Sequence, residues 1–444
     1  MGTTAPAGAI RPNNGRWLHL TLSILCMVMI ANLQYGWSVF VAPLHQAHNW
    51  EVTAIQVAFT IFVALETWAT PVNAWICDRI GPRFGPRLVM GAGGILVAAG
   101  WVLNSFTDSL TGLYIGGALT GFGAGGIYCV SVGTAVKWFP DRRGLATGLV
   151  AAGFGAGAAL TIIPIKMYIA SSGYAAAFLL FGLIQGGVVL VASQLIRHPD
   201  PGEVQVPAKT ATKQSARSYT SKEMLSSWVF WVLYVCDVLM CAGGLVVTAN
   251  LVGIANSHNI SNIVIMGATT LSLALVFSNV MNGLARPLFG WVADQIGLPK
   301  TMVIGFGLGA MAYFLLYLLG AHPAAFVFAT GLVFFCWGNI FSLFPAMCTN
   351  LFGTKYATTN ASLLYTAKGT AALLVPLASV VTRVTGSWDS VLLVASVINI
   401  IAVFVVAFVL TPAARRFQSD EPAEPRVVTK APRPIPGPLH APGD

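Results

Sequence analysis

The sequence predicts an all-α membrane protein with twelve transmembrane helices in two six-helix bundles, from its composition, its apolar runs and an internal repeat. Of its 444 residues, 56% are hydrophobic and only 9% are charged, and the mean hydropathy is +0.74. A soluble domain carries about 25% charged residues, so this chain lacks the polar side chains to cover a water-facing surface. The composition therefore excludes a set of soluble domains.

Twelve apolar runs are each long enough to cross a bilayer core of about 30 Å. They are too long and too rich in glycine for the strands of a membrane barrel, which are short and alternate. The first run lacks a short apolar core followed by a small-residue cleavage site, so it is a first span and not a cleaved signal peptide. The runs cover residues 17–43, 53–76, 88–106, 111–136, 144–168, 174–196, 226–253, 261–292, 301–319, 323–348, 358–382 and 388–411.

Basic residues predict the orientation of these spans. With the N-terminus in the cytoplasm, twenty of the 24 lysines and arginines fall on the cytoplasmic side. Lys166 and Arg383 lie at the outer ends of spans, and Arg286 and Lys368 lie within spans. This distribution follows the positive-inside rule and predicts a multi-pass protein of the bacterial cytoplasmic membrane with both termini in the cytoplasm. The net charge of +9 does not predict nucleic-acid binding, because the basic residues are spread over short loops.

A polar stretch at 197–225 divides the runs into six and six. We therefore predict an N-terminal bundle over 17–196 and a C-terminal bundle over 226–411, joined by that stretch as a cytoplasmic linker. Residues 1–16 form a cytoplasmic tail. Residues 412–444 are rich in proline and charge, which predicts a disordered cytoplasmic tail.

The two halves repeat one motif at the end of their second span. The motif Pro71-x3-Trp75-x2-Asp78-x-Ile80-Gly81 recurs at a constant offset of 216 residues as Pro287-x3-Trp291-x2-Asp294-x-Ile296-Gly297. Duplicated halves are typical of secondary transporters, whose substrate site lies near the midplane between the repeats. A duplicated structural bundle without transport is the alternative.

The first copy of the repeat contains Asp78-Arg79-Ile80-Gly81-Pro82-Arg83, which resembles the loop signature of the major facilitator superfamily. The resemblance covers the chain from about 17 to 411 and implies the twelve-helix fold of that superfamily. It also implies a gating latch, in which the aspartate favours a neighbouring helix N-terminus and the arginines pair across the bundle interface. We expect these latch residues to act on conformation and not to bind substrate: Asp78, Arg79, Arg83 and Asp294.

Four ionisable side chains lie at membrane depth, where charge is costly and therefore indicates function. Arg286 and Lys368, in spans eight and eleven, predict an anion site, because a guanidinium fork and an ammonium can together neutralise a small dicarboxylate. Glu66 in span two and Asp237 in span seven add carboxylates. The alternative is that the two cations pair with these acids and never meet a substrate. No histidine lies deep in a span, so a histidine proton relay is not expected.

Motifs around these residues resemble the oxalate/formate antiporter family. They are Gln34-Tyr35-Gly36-Trp37, Gln56, Asn282-Gly283-x2-Arg286-Pro287, Trp337-Gly338 and Ala367-Lys368-Gly369-Thr370. The resemblance implies that Arg286 and Lys368 bind carboxylates in a cavity with aromatic walls, which suit a small flat anion and exclude water. It assigns the lining of that cavity to Tyr35, Gln56, Tyr128, Trp337, Phe341 and Tyr365. The chain departs from the family in the rings at Phe341 and Tyr365 and in its extra acids.

The helix packing of the superfamily also implies a role for Glu66. Span two of one half packs near span eleven of the other, which brings Glu66 within range of Lys368. We expect the carboxylate to hold the lysine while the cavity is empty and to release it when a dicarboxylate arrives. Because a buried unpaired charge is unfavourable, this exchange of partners discourages the empty carrier from reorienting.

We predict a secondary transporter that exchanges oxalate against formate by alternating access. The alternatives are a proton-coupled monocarboxylate symporter, with Glu66 or Asp237 as proton carrier, and a membrane sensor that signals through its linker or tail. We expect no enzymatic activity, catalytic residue or cofactor, and a monomer whose partners are small carboxylates and lipid. The glycine-dense fourth and fifth spans lack a P-loop lysine, so they predict close helix packing and no nucleotide. Seven cysteines lie in apolar runs without metal-ligand spacing, and neither a metal site nor a disulfide is predicted.

Overall fold

The fold is described by a computed structural model that covers residues 15–139, 143–200, 203–204, 218–353 and 356–419. Nearly all of these residues are helical, apart from a hairpin in which β1 (Val264–Ile265) pairs antiparallel with β2 (Ala268–Thr269). The helices are α1 (Gly15–Tyr35), α2 (Ser38–His48), α3 (Val52–Trp68), α4 (Thr70–Ile80), α5 (Gly85–Phe106), α6 (Leu110–Trp138), α7 (Arg143–Leu195), α8 (Ser221–Leu225), α9 (Trp228–Ser257), α10 (Thr270–Ile296), α11 (Leu298–Leu319), α12 (Pro323–Gly338), α13 (Ile340–Phe352), α14 (Ala357–Ala372), α15 (Val375–Thr385), α16 (Asp389–Val405), a π-helical turn (Val406–Leu410) and α17 (Thr411–Ser419).

Ten helical segments in the described ranges are long and apolar enough to cross a bilayer. One of them lies in α7 and contains Gly173 at φ 86° and ψ 164°, which divides it into two spans. Only glycine adopts this conformation readily. Gly173 lies between the predicted runs 144–168 and 174–196. The 27-residue helix α10 carries Arg286 and Asp294 and supplies the remaining span. The described helices thus give twelve spans, and the predicted all-α membrane fold is confirmed.

Four of these spans are interrupted within their length. The interruptions lie between α1 and α2, between α3 and α4, between α12 and α13, and between α14 and α15. Each interruption lies within five residues of a predicted site residue. In chain order, these residues are Tyr35, Glu66, Trp337 and Lys368. Broken helices beside the binding site are typical of secondary transporters, so the interruptions mark the region where the site is built.

Proline accounts for the interruption between α14 and α15. Because Pro376 has no N–H, the carbonyl of Ala372 loses its helical partner. The Thr60 hydroxyl of α3 donates to this carbonyl over 2.9 Å. Trp68, also in α3, donates its Nε1 to the Thr366 carbonyl of α14 over 3.1 Å. A helix of the first half therefore holds the interrupted span of the second half at the last residue before the break and again six residues earlier in α14.

Glycines on α6 fix the position of α3. A Cβ on any of three glycines, each one turn apart, would lie closer than 3.0 Å to a carbonyl oxygen of α3. Small residues allow helix backbones to approach this closely, so the predicted role of the glycine-dense fourth span is confirmed. The glycines and the carbonyls that they face are Gly117 and Ala58, Gly121 and Phe62, and Gly125 and Glu66.

The linker and the C-terminal tail contain helix in their described parts. In the linker, α8 begins with a capping box, in which Thr220 Oγ1 accepts from the Glu223 N–H and the Glu223 carboxylate accepts from the Thr220 N–H. In the tail, α17 continues the last span through the π-helical turn, so the prediction of disorder from 412 is wrong for residues 412–419. Residues 1–14, most of the linker and 420–444 lie outside the described residues, and the predicted domain bounds stay predictions.

Replacing Gly125 by alanine is expected to lower thermal stability, because the new Cβ collides with the Glu66 carbonyl. Overpacking of this kind costs about 1–3 kcal/mol. Gly187→Ala is the matched control, since nothing lies within 4 Å of its Cβ position. There alanine favours the helix by about 1 kcal/mol. Melting temperatures in one detergent give the comparison, and a Gly125→Ala variant as stable as the wild type would contradict this packing account.

Candidate functional site

Arg286 of α10 and Lys368 of α14 face the same two aromatic rings. The Arg286 Cζ lies 4.7 Å from the ring centroid of Phe341 and 5.9 Å from that of Phe154. The Lys368 Nζ lies 5.7 Å and 5.2 Å from the same two centroids. Both cations are buried, with 2% and 1% of their surface exposed. Because both cations lie near the same two rings, the two predicted cations share one site. The attraction between a cation and a ring face is stronger when both are buried away from water.

Lys368 is neutralised by an acid from the other half of the chain. Its Nζ lies 2.8 Å from Glu66 Oε2 of α3 and donates to the Tyr365 hydroxyl over 3.2 Å. The predicted proximity of Glu66 to Lys368 is therefore confirmed. The other carboxylate oxygen, Glu66 Oε1, is buried and has no hydrogen-bond partner among the described residues.

Arg286 has no acidic partner in the described ranges of the chain. Its Nη2 donates to the Tyr35 hydroxyl over 3.3 Å and to Asn282 Oδ1 over 3.2 Å, and its Nε donates to the same oxygen over 3.4 Å. Its Nη1 is buried and has no hydrogen-bond partner there. Arginine keeps its charge in proteins. The sequence left open the alternative that both cations pair with internal acids. Among the described residues this is correct for Lys368 and wrong for Arg286.

Stacked and edge-on rings enclose the two cations. Tyr128 of α6 stacks on Tyr365 of α14, with centroids 5.0 Å apart and planes inclined by 8°. Trp337 of α12 meets Phe341 edge-on at 5.2 Å and Tyr35 at 6.0 Å. The Trp337 Nε1 is buried without a hydrogen-bond partner in the described part of the chain. Together with Arg286 Nη1, it is therefore a donor that is available to a ligand.

Phe154 of α7 completes the ring of aromatic side chains. Its ring lies edge-on to Tyr35 at 5.5 Å and to Tyr128 at 5.7 Å. Six helices thus contribute rings around two cations and one carboxylate. We name this set the central cluster: Tyr35, Glu66, Tyr128, Phe154, Arg286, Trp337, Phe341, Tyr365 and Lys368.

Gln56 lies outside the central cluster. It precedes Glu66 by ten residues, about 15 Å along α3. Its Oε1 accepts from Trp37 Nε1 over 3.1 Å, and its Nε2 donates to the Ala249 carbonyl and to Asn250 Oδ1 over 3.0 and 2.9 Å. Since Ala249 and Asn250 belong to α9, the Gln56 amide joins the two halves. The expectation that it lines the cavity beside the cations is not met.

Asp237 of α9 borders the central cluster without pairing with a cation. It lines a small cavity together with Phe341, Tyr365 and Lys368. Its Oδ1 accepts from Cys241 Sγ over 3.4 Å, and it forms no ion pair with any residue that the structure describes. An isolated carboxylate in apolar surroundings binds a proton in preference to remaining charged, so we treat Asp237 as a neutral acid.

Phe154 and Asn282 belong to the site, although the sequence motifs do not assign them a role in it. Phe154 stands between Gly153 and Gly155, so a single large ring within a run of small residues was the available signal. Asn282 lies four residues before Arg286, which is one turn of α10. Its amide oxygen can therefore hold the guanidinium and leave Nη1 directed to a ligand.

The latch motif forms an ion pair within the first half. Lys137 Nζ of α6 lies 2.8 Å from Asp78 Oδ1 at the end of α4, and both side chains are exposed. Arg79 packs over the Trp75 ring of its own helix at 5.3 Å. Arg83 is exposed and forms no ion pair with a described residue. The expected pairing of the arginines across the bundle interface is therefore wrong for the described residues.

The second copy of the motif lacks this ion pair among the described residues. Asp294 is exposed there and has no cation partner. When Phe139 is aligned with Phe352, Asn350 occupies the place of Lys137. An amide cannot supply the positive charge, so the described parts of the two copies differ in their charge pairing.

His198, at the start of the linker, joins the ion pair of the first half. Lys137 Nζ lies 3.1 Å from His198 Nδ1, and because an ammonium can only donate, the ring is a neutral acceptor. The His198 N–H donates to the Pro82 carbonyl of the latch motif over 2.9 Å. Burial, together with the charge of Lys137, lowers the pKa of His198 to about 3. The first residues of the linker are therefore bound to the latch motif of the first half through His198.

One group of described residues has the spacing of metal ligands. The ligand atoms of Cys77, Asp78 and His198 lie within 4.8 Å of one another. The Lys137 ammonium already contacts two of these residues, at 2.8 and 3.1 Å, and repels a second cation. The absence of a metal role for the cysteines stays a prediction.

Comparisons with known proteins agree with this architecture. A sequence model described as Major Facilitator Superfamily matches residues 22–376 and 238–439. An oxalate:formate antiporter from Oxalobacter formigenes is 32% identical over 90% of this chain and 93% of its own length. Monocarboxylate transporter 11 from Homo sapiens is 24% identical over 72% of this chain and 65% of its own length. A crystal structure of a POT family transporter in complex with 5-aminolevulinic acid superposes with a TM-score of 0.70 and 14% identity, over 90% of this chain and 96% of that one.

Replacing His198 by glutamine is expected to flatten the pH dependence of stability. In the unfolded chain His198 binds a proton below about pH 6.5, whereas in the folded protein it binds one only near pH 3. Between these two values the unfolded state binds more protons, so the free energy of unfolding falls as the pH is lowered. Glutamine keeps an acceptor for Lys137 and does not titrate. The wild type should therefore lose about 1.4 kcal/mol more per pH unit than the variant.

Melting temperatures between about pH 7.5 and about pH 5 measure this difference. His322→Gln, at an exposed histidine, is the control and should follow the wild type. Parallel curves for wild type and His198→Gln would show that the latch does not hold this histidine neutral.

Proposed function

The chain belongs to the major facilitator superfamily, and on that basis we propose that it exchanges small carboxylate anions across a membrane by alternating access, oxalate against formate. Its similarity to an oxalate:formate antiporter supports this choice of substrates. The placement of basic residues supports a bacterial cytoplasmic membrane with both termini in the cytoplasm.

The unpaired guanidinium of Arg286 is the observation on which this proposal rests. It is 2% exposed, has no acid partner among the described residues and keeps Nη1 free of hydrogen bonds. An uncompensated charge inside a membrane is costly, and a carboxylate supplies the missing partner. The planar fork of arginine matches the two oxygens of a carboxylate, so Arg286 is the main anchor of the substrate.

The aromatic walls favour a small flat anion over a bulky one. Phe341 and Phe154 flank Arg286, and Trp337, whose ring lies edge-on to Tyr35, has an indole N–H without a partner among the described residues that can serve as a second donor. Closely packed rings exclude water, which strengthens the attraction between the guanidinium and a carboxylate. Oxalate and formate are small and planar enough to lie between such rings.

Charge balance in the central cluster accounts for exchange in preference to net transport. The empty site carries the Arg286 charge without a partner, and reorientation must move this charge through the low-dielectric interior. A bound carboxylate neutralises it. The loaded carrier therefore reorients more readily than the empty one, which is the physical requirement for exchange.

Proton-coupled monocarboxylate symport is the second candidate function, and Asp237 is the residue that favours it. Asp237 borders the central cluster and forms no ion pair in the described ranges, so it can carry a proton. Glu66 suits that role less well while Lys368 holds it as a carboxylate. A symporter accumulates substrate into empty vesicles under an imposed pH gradient, whereas an exchanger needs substrate on the opposite face.

Neutralising Arg286 is the direct test of the proposed function. We expect Arg286→Gln to lower the counterflow of radiolabelled oxalate in proteoliposomes about 100-fold, because a charge-assisted contact worth about 2–3 kcal/mol is lost. Arg286→Lys keeps the charge but loses the planar fork, so it should also be strongly impaired. Lys222→Gln removes an exposed charge of α8 and should exchange normally. An Arg286→Gln variant that exchanges oxalate at the wild-type rate would refute the assignment.

Asp78→Asn is expected to slow turnover more than it weakens substrate binding. The carboxylate pairs with Lys137 and lies outside the central cluster, so its loss changes a conformational equilibrium and not a substrate contact. Asp294→Asn is the matched control, because that aspartate has no ion pair among the described residues. Exchange rate and equilibrium affinity are measured on the same preparations. Weakened binding at an unchanged rate would count against a latch at Asp78.

A further inference from the structure

Three ionised side chains meet in the central cluster and leave it with one positive charge. Arg286 and Lys368 are cations, Glu66 is the carboxylate that Lys368 holds at 2.8 Å, and Asp237 is a neutral acid. Resting on the proposed function, we infer that the site accepts one negative charge of substrate. A monocarboxylate binds as it is, and a dicarboxylate binds only together with a proton on Glu66.

The Lys368 ammonium is already engaged before a substrate arrives. Lys368 and Glu66 are 1% and 0% exposed, and the ammonium also donates to the Tyr365 hydroxyl over 3.2 Å. A dicarboxylate with one end on Arg286 brings its other carboxylate to Lys368, where it competes with Glu66. Two carboxylates that share one site repel each other, and the repulsion favours protonation of one of them.

A displaced Glu66 carboxylate finds no second free cation within the central cluster. Its Oε1 is buried without a hydrogen-bond partner among the described residues, and Arg286 is occupied by the substrate. The titratable side chains that face Glu66 from the central cluster are Tyr35 of α1, Tyr128 of α6, Arg286 of α10, and Tyr365 and Lys368 of α14. The titratable groups of α2, α4 and α15 lie nearer the ends of α3, at His45, His48, Cys77, Asp78, Arg79 and Arg383.

Protonation of Glu66 therefore accompanies the arrival of a dicarboxylate. Tyrosine hydroxyls ordinarily ionise only near about pH 10, so within the central cluster Glu66 is the group that takes up the proton. The proton comes from water on the side from which the substrate enters. The occupied site is then neutral with either substrate, and the exchange of oxalate against formate moves no net charge.

Calorimetry of the purified wild-type protein counts the proton directly. Binding of oxalate and of formate is measured in two buffers that differ in their enthalpy of ionisation, near neutral pH, where both acids are fully ionised because carboxyl groups titrate near about pH 4. We expect close to one proton taken up per oxalate and none per formate. The oxalate Kd should rise about tenfold from about pH 7 to about pH 8, while the formate Kd stays constant.

Two variants locate the proton. Glu66→Gln should bind oxalate without proton uptake and with a Kd that does not depend on pH, because the carboxylate that pairs with Lys368 is gone and Asp237, in the same cavity, is already neutral. Asp237→Asn should still take up one proton per oxalate, since Asp237 is already neutral. If Glu66→Gln fails to fold, the wild-type protein still tests the inference through its proton count and the pH dependence of its oxalate Kd. Oxalate–formate exchange by the wild type should also be insensitive to an imposed membrane potential.

The outcomes separate this inference from the proposed function. Oxalate binding without proton uptake in the wild type, or proton uptake that persists in Glu66→Gln, overturns the inference and leaves carboxylate exchange intact. Formate binding with no oxalate binding between about pH 6 and about pH 8 also overturns it. Binding of neither acid by the wild type, or unchanged binding of both by Arg286→Gln, overturns the proposed function and this inference with it.

Discussion

The cost of holding charge inside a membrane is the constraint on which the rest of this structure depends. Glu66 and Lys368 compensate each other at 2.8 Å, and they come from different halves of the chain. In the part of the chain that the structure describes, the partners of Arg286 are all neutral: a tyrosine hydroxyl, an amide oxygen and two ring faces. The positive charge left over is what makes the site complementary to an anion, and it also makes the empty site unfavourable.

Backbone packing places these charges. The glycines of α6 let α3 approach until their backbones touch at Glu66, and hydrogen bonds from α3 to two carbonyls of α14 hold the partner helix beside it. Interruptions in four spans then bring their side chains together beside the breaks. The geometry of the ion pair is therefore set mainly by close contacts between backbones, which are stiffer than long side chains.

The two ends of the molecule carry different ion pairs. At the end that carries Glu51, Arg383 pairs with Glu51 at 2.9 Å and the Gln56 amide bonds to α9, so both contacts join the two halves. At the other end, the ion pair of Asp78 and Lys137 lies within the first half and binds the start of the linker through His198. The described residues of the duplicated motif thus pair their charges differently in the two halves.

The sequence by itself determined the membrane fold, the twelve spans, the boundary between the fifth and sixth spans and the presence of two cations and two acids at depth, because hydropathy and charge are properties of each segment alone. Family resemblance added the proximity of Glu66 to Lys368. Only the tertiary structure decided that Arg286 has no acid partner among the described residues, that Phe154 and Asn282 belong to the site, that Gln56 lies outside it and that Asp78 pairs with Lys137. These facts depend on distances between helices far apart in the chain, and such distances follow from how backbones pack and not from the pattern of any one segment.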